Sequence, residues 1–344
     1  MSFRIHGIGT ASPECSISQE HAVQLAGAYG CVTDEQRRQM KALYRLTRVR
    51  SRSSVLLDSD SRDGFPAHAF FPPMQHDEDR GPTTSTLGAA NPVHDTVTHL
   101  VTVSCTGFAA PSVDVGLIRR LGLRPTVART HVGFMGCHGA LNGLRVAQGL
   151  AETSAEARVL VCAVELCSLH FQYGWHVEWL VSNAIFSDGA AAVVGARAPG
   201  ASSGDWALVA SGAALLEDSA ELMSWRIGNH GFEMALSPRV PGVIERALRP
   251  WLDEWLSSQG TAVEQIATWA LHPGGPRILE ACAQAIGLGR DDYAISREVL
   301  GEFGNMSSPT ILFILDRLRR RDAPRPCVAI GFGPGLAVEA ALFR

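Results

Sequence analysis

Cys137, His272 and Asn305 are a thiol, an imidazole and a carboxamide of the kinds that acyl transfer uses, and they stand at matching points of two halves of the chain. From Cys105 to Cys137 is 137 − 105 = 32 positions, and from His272 to Asn305 is 305 − 272 = 33. A thiol of ordinary pKa is mostly protonated at neutral pH, but a helix N-terminus and a nearby imidazole both favour the thiolate. Cys137 is therefore expected to be an activated nucleophile. An Asn amide and the Nε2–H of a histidine can together donate two hydrogen bonds to an oxygen that turns negative in a transition state. His272 and Asn305 suit such an oxyanion hole. Taken singly, a cysteine among small residues is more often core, and a strand histidine more often a satisfied one. The matched placement reverses that preference.

The elements that must position these side chains repeat as well. Thr98-His-Leu-Val-Thr-Val-Ser-Cys105 and Ala267-Thr-Trp-Ala-Leu-His272 are short apolar runs rich in strand formers, each ending on a polar residue. Cys137 and Asn305 each follow a glycine and precede a helix, 138–147 in one half and 307–316 in the other. Ser307 or Ser308 as N-cap with Pro309 in the first turn is a good helix start. A strand follows in each half at 157–165 and 325–331, and a closing strand at 188–195 and 336–343. Residues 166–187 are extra to the first half, as functional insertions often are. The turn-rich stretch 196–205 is the expected linker, dividing the chain into 1–200 and 201–344.

Composition excludes several classes. With 46% hydrophobic and 19% charged residues over 344 positions, the chain can bury a large core. A net charge of −4 gives no reason to expect nucleic acid, and the arginines between 45 and 52 are too local to change that. No apolar run reaches membrane-spanning length, and the N-terminal residues read as a strand, not a signal peptide. Eight scattered cysteines without a CxxC pair fit a reducing cytoplasm.

Gly136-Cys-His-Gly139, Leu271-His-Pro-Gly-Gly-Pro276, Gly304-Asn-Met-Ser-Ser308 and Gly331-Phe-Gly-Pro-Gly335 together resemble the type III polyketide synthases, the chalcone synthase-like family of the thiolase superfamily, over about Phe3 to Arg344. The resemblance implies an α/β, thiolase-like five-layer αβαβα fold built from two repeated halves, and a homodimer. It implies that Cys137 is acylated by a starter acyl-CoA, while His272 and Asn305 stabilise the enolate formed as malonyl-CoA loses carbon dioxide. No cofactor is implied beyond the coenzyme A thioesters used as substrates. Phe186 and Phe232 match two gatekeeping phenylalanines between the coenzyme A tunnel and the elongation cavity. Cys105, Cys167, His170, Met223, Ser307, Gly333 and Pro334 resemble cavity-lining positions, and the string 165–172 is similar to bacterial members that extend fatty acyl starters into pyrones or resorcinols. Two other readings are a ketoacyl synthase fed by an acyl carrier protein and a degenerate, non-catalytic dimer partner.

Lys41, Arg45 and Arg48 follow the helical spacing i, i+4, i+7 and are candidates to meet coenzyme A phosphates, though a solvated helix face explains any one of them. Cys167 and His170, with Cys162 and His176 near, invite a metal site. None is expected, since Cys162 and Cys167 lie five apart on a strand and face opposite ways. One departure stands out. The second half carries an amphipathic helix before its first strand, with Val240, Ile244, Ala247, Leu248, Trp251, Leu252 and Trp255 on one stripe. Residues 73–97 of the first half are polar and aperiodic, where the family has about twenty more residues forming a covering helix. The expected junction is near Thr86-Leu87, and the preferred reading is that residues are missing from the sequence, not deleted from the protein, because baring a sheet face is costly.

Overall fold

A computed structural model describes residues 2–57, 96–198, 206–216, 219–228 and 231–344. The Thr86-Leu87 junction and the absent covering helix lie outside the described residues.

The strands are β1 (Ser2–Ala11), β2 (Ser16–Ser18), β3 (Ser51–Ser53), β4 (His99–Ser104), β5 (Ala128–Gly133), β6 (Arg158–Leu166), β7 (Asp188–Ala198), β8 (Ala207–Leu215), β9 (Met223–Gly228), β10 (Gly231–Leu236), β11 (Thr268–Leu271), β12 (Cys327–Gly333) and β13 (Ala337–Phe343). Nine of them form one sheet in the order β11-β12-β13-β8-β1-β7-β6-β4-β5. Apart from the edge strand β5, which has no counterpart, the order is mirrored about the β8–β1 join. In the first half β4 runs parallel to β6 (Val101 beside Val161), and β6 antiparallel to β7. In the second, β11 runs parallel to β12 (Ala270 beside Ala329), and β12 antiparallel to β13. The two halves meet where Phe3 pairs with Leu208.

Why the halves close on each other follows from two helices. Gly139–Ala151 and Pro309–Arg320 carry few polar residues on their inner turns, and both touch strands of both halves. They make the central layer of a sandwich whose main cluster joins Leu141 and Leu144 to Ile311, Ile314, Val161 and Ala329. Strands covered on both faces read as continuous apolar runs, as β6 and β12 do. Over the outer face of the second half, the helices Val240–Ser258 and Pro276–Ile286 pack together. Val240, Ile244, Leu248, Leu252 and Trp255 of the expected stripe are buried there, with Ala247 and Trp251 packed at its edge. Over the outer face of the first half lies the short helix Val113–Arg120, whose Leu117 joins Leu100, Leu160 and Cys162.

Sequence and structure differ at some boundaries for physical reasons. Ser308 does occupy the N-cap of the Pro309–Arg320 helix, but its hydroxyl makes no cap bond. It donates instead to a buried carboxylate, Glu165 Oε1, at 2.6 Å. The extra segment holds a short 3-10 turn, Cys167–His170, and the helix Val177–Ile185. No helix among the described residues is long and apolar enough to cross a membrane.

Candidate active site

Cys137 sits in a 3-10 turn, Gly136–His138, that runs directly into the Gly139–Ala151 helix. The turn needs its glycine, because Gly136 has φ +70° and a Cβ there would strike the ring of Pro334. The second half repeats the device: Gly304, at φ +72°, delivers Asn305 just before the Pro309–Arg320 helix. The Asn305 N–H donates to Ile185 O at 2.9 Å and its carbonyl accepts from Ser187 N at 3.0 Å, a bridge that locks it beside Phe186.

The carboxamide orientation is decided by chemistry. Ser307 N can only donate, so the Asn305 atom it meets at 2.8 Å is Oδ1, and Nδ2 is left facing Cys137 Sγ at 3.9 Å. His272 ends β11, its backbone N–H bonded to Ile330 O of the neighbouring strand at 2.8 Å. All three residues are buried, at 7%, 2% and 1% exposed for Cys137, His272 and Asn305. Both ring nitrogens of His272 are without a hydrogen-bond partner among the described residues. A buried, unpaired imidazole is costly unless a reacting group completes it.

The electrostatics correct the expectation of a preformed thiolate. Burial pushes the Cys137 thiol up to about 11; hydrogen bonds from Ser307 and Asn305 oppose this, and the Glu165 carboxylate adds to it. Burial, with a contribution from His138, pushes His272 down to about 3. The pair therefore rests as neutral thiol and neutral imidazole. The helix N-terminus and imidazole that should have favoured the thiolate are outweighed by desolvation and by a carboxylate. With its pKa pushed up by burial, Cys137 is mostly thiol at pH 7. Alkylation of Cys137 by iodoacetamide is then expected to accelerate about tenfold per pH unit from 7 to 10. A rate that is already flat across that range would show a preformed ion pair and contradict the assignment.

Glu165 is the functional residue that the sequence reading missed. It is fully buried and accepts from Ser308 Oγ, from Cys105 N at 3.0 Å, from Thr106 Oγ1 at 2.8 Å and from Cys105 Sγ at 3.3 Å. Burial raises its pKa, and these donors oppose that rise. Ser307, held at φ +56°, places its hydroxyl 3.6 Å from Cys105 Sγ. Cys105, Ser307 and Glu165 thus form a polar wall beside Cys137; the first two, expected to line the cavity, are not among the residues that bound it. The available signal was a single carboxylate ending an otherwise apolar strand.

Phe186, Phe232, Cys167 and His170 line one cavity of about 150 Å³, with Leu25 and Trp179 on its apolar side. His170 Nδ1 accepts from the Phe232 N–H at 3.1 Å, so Nε2 carries the proton and donates to Thr106 O at 2.7 Å. Its ring stacks on Phe232 at 4.5 Å. His170 is a clamp on Phe232 with both nitrogens engaged. Cys162 packs in the outer cluster of the first half while Cys167 faces the cavity, so the two do face apart. A second missed residue, Arg52, donates to Phe186 O at 3.2 Å and to Asn183 O, fixing the chain at Phe186.

Other expected positions fall elsewhere. Met223 opens β9 and packs against the outer core of the second half, and it is not among the residues that bound the cavity. Gly333 and Pro334 brace the nucleophile turn: a Cβ at Gly333 would meet Met135 O and the His138 ring. They pack behind Cys137 and do not line the cavity. The helix bearing Lys41 and Arg45 ends at Leu46, and Arg48, at φ +58°, leaves their stripe. It lines a separate cleft with Arg290 and Arg297. His138, expected only as a helix start, is buried with Nδ1 2.6 Å from Asn142 Oδ1, and Asn142 Nδ2 donates to Glu339 at 2.7 Å.

Comparison with known proteins agrees with this geometry. Residues 84–199 match the family model described as chalcone and stilbene synthases, N-terminal domain, and residues 207–344 match the C-terminal domain of the same family. The chain is 33% identical over 255 residues to "Alpha-pyrone synthesis polyketide synthase-like Pks18" of Mycobacterium tuberculosis, and to the protein of that description in Mycobacterium bovis. That match spans 71% of this chain and 64% of the relative's length. Polyketide synthase PKS-I of the brown alga Ectocarpus siliculosus superposes with TM-score 0.91 at 28% identity, covering 100% of this chain and 98% of that one. The C-terminal type III polyketide synthase domain of Steely1 from Dictyostelium gives 0.86 at 25% identity, covering 100% and 99%. With both halves matched, over 84–199 and 207–344, the chain belongs to the chalcone and stilbene synthase family.

Proposed function

We propose that the chain is a type III polyketide synthase-like acyltransferase that loads an acyl group from an acyl-CoA starter onto Cys137 and extends it by decarboxylative condensation with malonyl-CoA. The observation that carries this reading is the buried Asn305 amide facing Cys137 Sγ at 3.9 Å, beside an apolar cavity bounded by Phe186 and Phe232.

In loading, Cys137 sulfur attacks the thioester carbon while its proton passes to an unpaired nitrogen of His272. The bond to coenzyme A sulfur breaks, and His272 returns the proton to that leaving thiolate. A neutral imidazole suits this because it offers one acceptor nitrogen and one N–H. In extension, the malonyl carbon–carboxylate bond breaks and its electron pair enters the enolate. Asn305 Nδ2–H and the His272 N–H stabilise the enolate oxygen. The enolate carbon then attacks the acyl carbonyl, and Cys137 leaves as thiolate. No metal or organic cofactor takes part in this scheme; the coenzyme A thioesters are substrates.

The apolar cavity and the similarity to an alpha-pyrone synthesis protein favour a fatty acyl starter and a pyrone or resorcinol product. Phe186→Leu enlarges the cavity mouth modestly, so starter range or the number of extensions is expected to shift while stability changes by less than about 1.5 kcal/mol. Product masses across a panel of acyl-CoAs check this; an unchanged profile would remove Phe186 from the gate. All eight cysteines are free thiols, which fits a cytoplasmic enzyme. Phe108 and Phe134, 69% and 48% exposed with ring centroids 6.2 Å apart, form an apolar face suited to a homodimer. Sedimentation should show two chains per particle, and a monomer at micromolar concentration would reject that state.

The test between substrate classes is direct. Purified protein should turn over malonyl-CoA with an acyl-CoA and gain nothing when malonate is presented on an acyl carrier protein. Turnover confined to the carrier-bound malonate would instead make the chain a fatty-acid-type condensing enzyme.

A further inference from the structure

His138 follows the nucleophile in the chain, is buried and takes no part in the scheme above. On the helix that begins at Gly139, Asn142 and Arg145 stand four and seven positions beyond it, on the same face. Glu339 reaches that face from the second half. β13 sets Glu339 opposite Gly331 of β12, and a Cβ on Gly331 would lie 3.2 Å from that of His138. We propose that Asn142 and Glu339 are positioning residues of the reaction centre, holding the His138 ring in its Nδ1–H tautomer behind the nucleophile so that His272 alone takes the proton from Cys137.

The hydrogen bonds admit one assignment. Arg145 Nη2 meets Glu339 Oε1 at 3.1 Å, so this oxygen accepts, and the Asn142 atom 2.7 Å from it is the donor Nδ2. Asn142 therefore turns Oδ1 to His138, and the Nδ1 that it meets at 2.6 Å carries the proton. Nε2 of the neutral ring keeps its lone pair, against Gly333, where a Cβ would come within 2.6 Å of it.

Three observations tie this chain of contacts to the chemistry. First, it keeps His138 neutral, because the group on Nδ1 is an amide and the carboxylate stands one side chain away, shared by Asn142 and Arg145. Burial lowers the pKa of His138, and the bond to Asn142 opposes that fall. Second, His272 is tied to the same strand, its N–H bonded to Ile330 O beside Gly331. After burial, His138 is the cause that lowers the basicity of His272. A charge on His138 would oppose proton uptake by His272 further, since like charges disfavour each other. Third, Glu339 is 4% exposed and its Oε2 has no hydrogen-bond partner among the described residues. A carboxylate left half-satisfied is costly, and bracing two strands does not require one. The tautomer stands on these bonds alone; the proton route through His272 rests on the proposed function.

The double variant Asn142→Asp, Glu339→Gln tests the proposal, because it moves the carboxylate one side chain closer to His138 at constant net charge and nearly constant volume. Nitrogen-15 NMR of the intact, histidine-labelled protein at pH 7, with His138 assigned through His138→Gln, should show one protonated ring nitrogen, Nδ1, in wild type and two in the double variant. Glu339→Gln alone lets Asn142 turn over, since glutamine donates as well as accepts, and should give a mixture of tautomers. Function should split in opposite directions. An imidazolium beside Cys137 favours the thiolate, so alkylation by iodoacetamide at pH 7 should rise about tenfold in the double variant, while kcat falls about tenfold with KM unchanged. Wild type protonated on Nε2, or a single unchanged tautomer in Glu339→Gln, overturns the proposal. So does a double variant in which alkylation and kcat fall together or neither moves, which would make Asn142 and Glu339 packing residues only. A wild-type chain that forms no product contradicts the proposed function instead, and the NMR and alkylation results still decide the role of Asn142 and Glu339.

Discussion

Cys137→Ala is expected to lose starter loading and product formation altogether, a fall on the order of 10⁴-fold or more, as when other covalent nucleophiles are removed. The chain should remain folded, since a buried Cys→Ala change removes one sulfur atom and costs about 1 kcal/mol. The Asn305 amide would still face the vacated position. Intact-protein mass spectrometry after incubation with an acyl-CoA reads the effect directly: wild type should gain one acyl group and the variant none. A variant that still acquires the starter would show that another of the buried thiols, Cys105 or Cys167, is the nucleophile. Burial raises both of those thiols well above their ordinary pKa, with the Glu165 carboxylate adding to the rise, which argues against them.

Asn305→Ala should separate the two half-reactions. In the proposed scheme the amide contributes one of two donors to the enolate oxygen, and loss of a single oxyanion donor lowers turnover by about 100- to 1,000-fold. Loading needs the sulfur and the imidazole, so the acyl adduct should still form. Release of carbon dioxide from labelled malonyl-CoA is the measurement for the first effect, and adduct mass for the second. Equal loss of both would mean that Asn305 acts by holding the Cys137 turn and not by stabilising the enolate. Its backbone bridge to Ile185 and Ser187 is untouched by the substitution, which makes that outcome unexpected.

How much of this was legible in the chain depended on whether the relevant contact was local. Gly136 and Gly304 advertise their residues because only glycine readily takes the positive φ that each turn requires, and the 32- and 33-residue spacings reflect strands of matched length. The sheet order confirms that repetition, with β4-β6-β7-β1 mirrored by β11-β12-β13-β8. The protonation state was not legible. A helix terminus and a histidine can be read from neighbours, but the burial of Cys137 and the carboxylate near it come from β6 and the central helices folding together. Glu165 was hidden for the same reason: its donors are Thr106, Cys105 and Ser308, spread over more than two hundred positions. Arg48 was placed by spacing alone. Its i, i+7 spacing from Lys41 assumed a helix that Leu46 ends, and one left-handed residue moved it to another surface. Gly333 and Pro334 were recognised as belonging to the site, but their work is to support the nucleophile turn.

The most direct measurement of the central claim is to incubate the protein with a fatty acyl-CoA and labelled malonyl-CoA, quench within the first turnover, and map the modified peptide. An acyl group on Cys137 is predicted at early times, lost to a coenzyme A thioester two carbons longer as labelled carbon dioxide is released. Product formation with Cys137 unmodified throughout, or an acyl group trapped on a different residue, would contradict the claim.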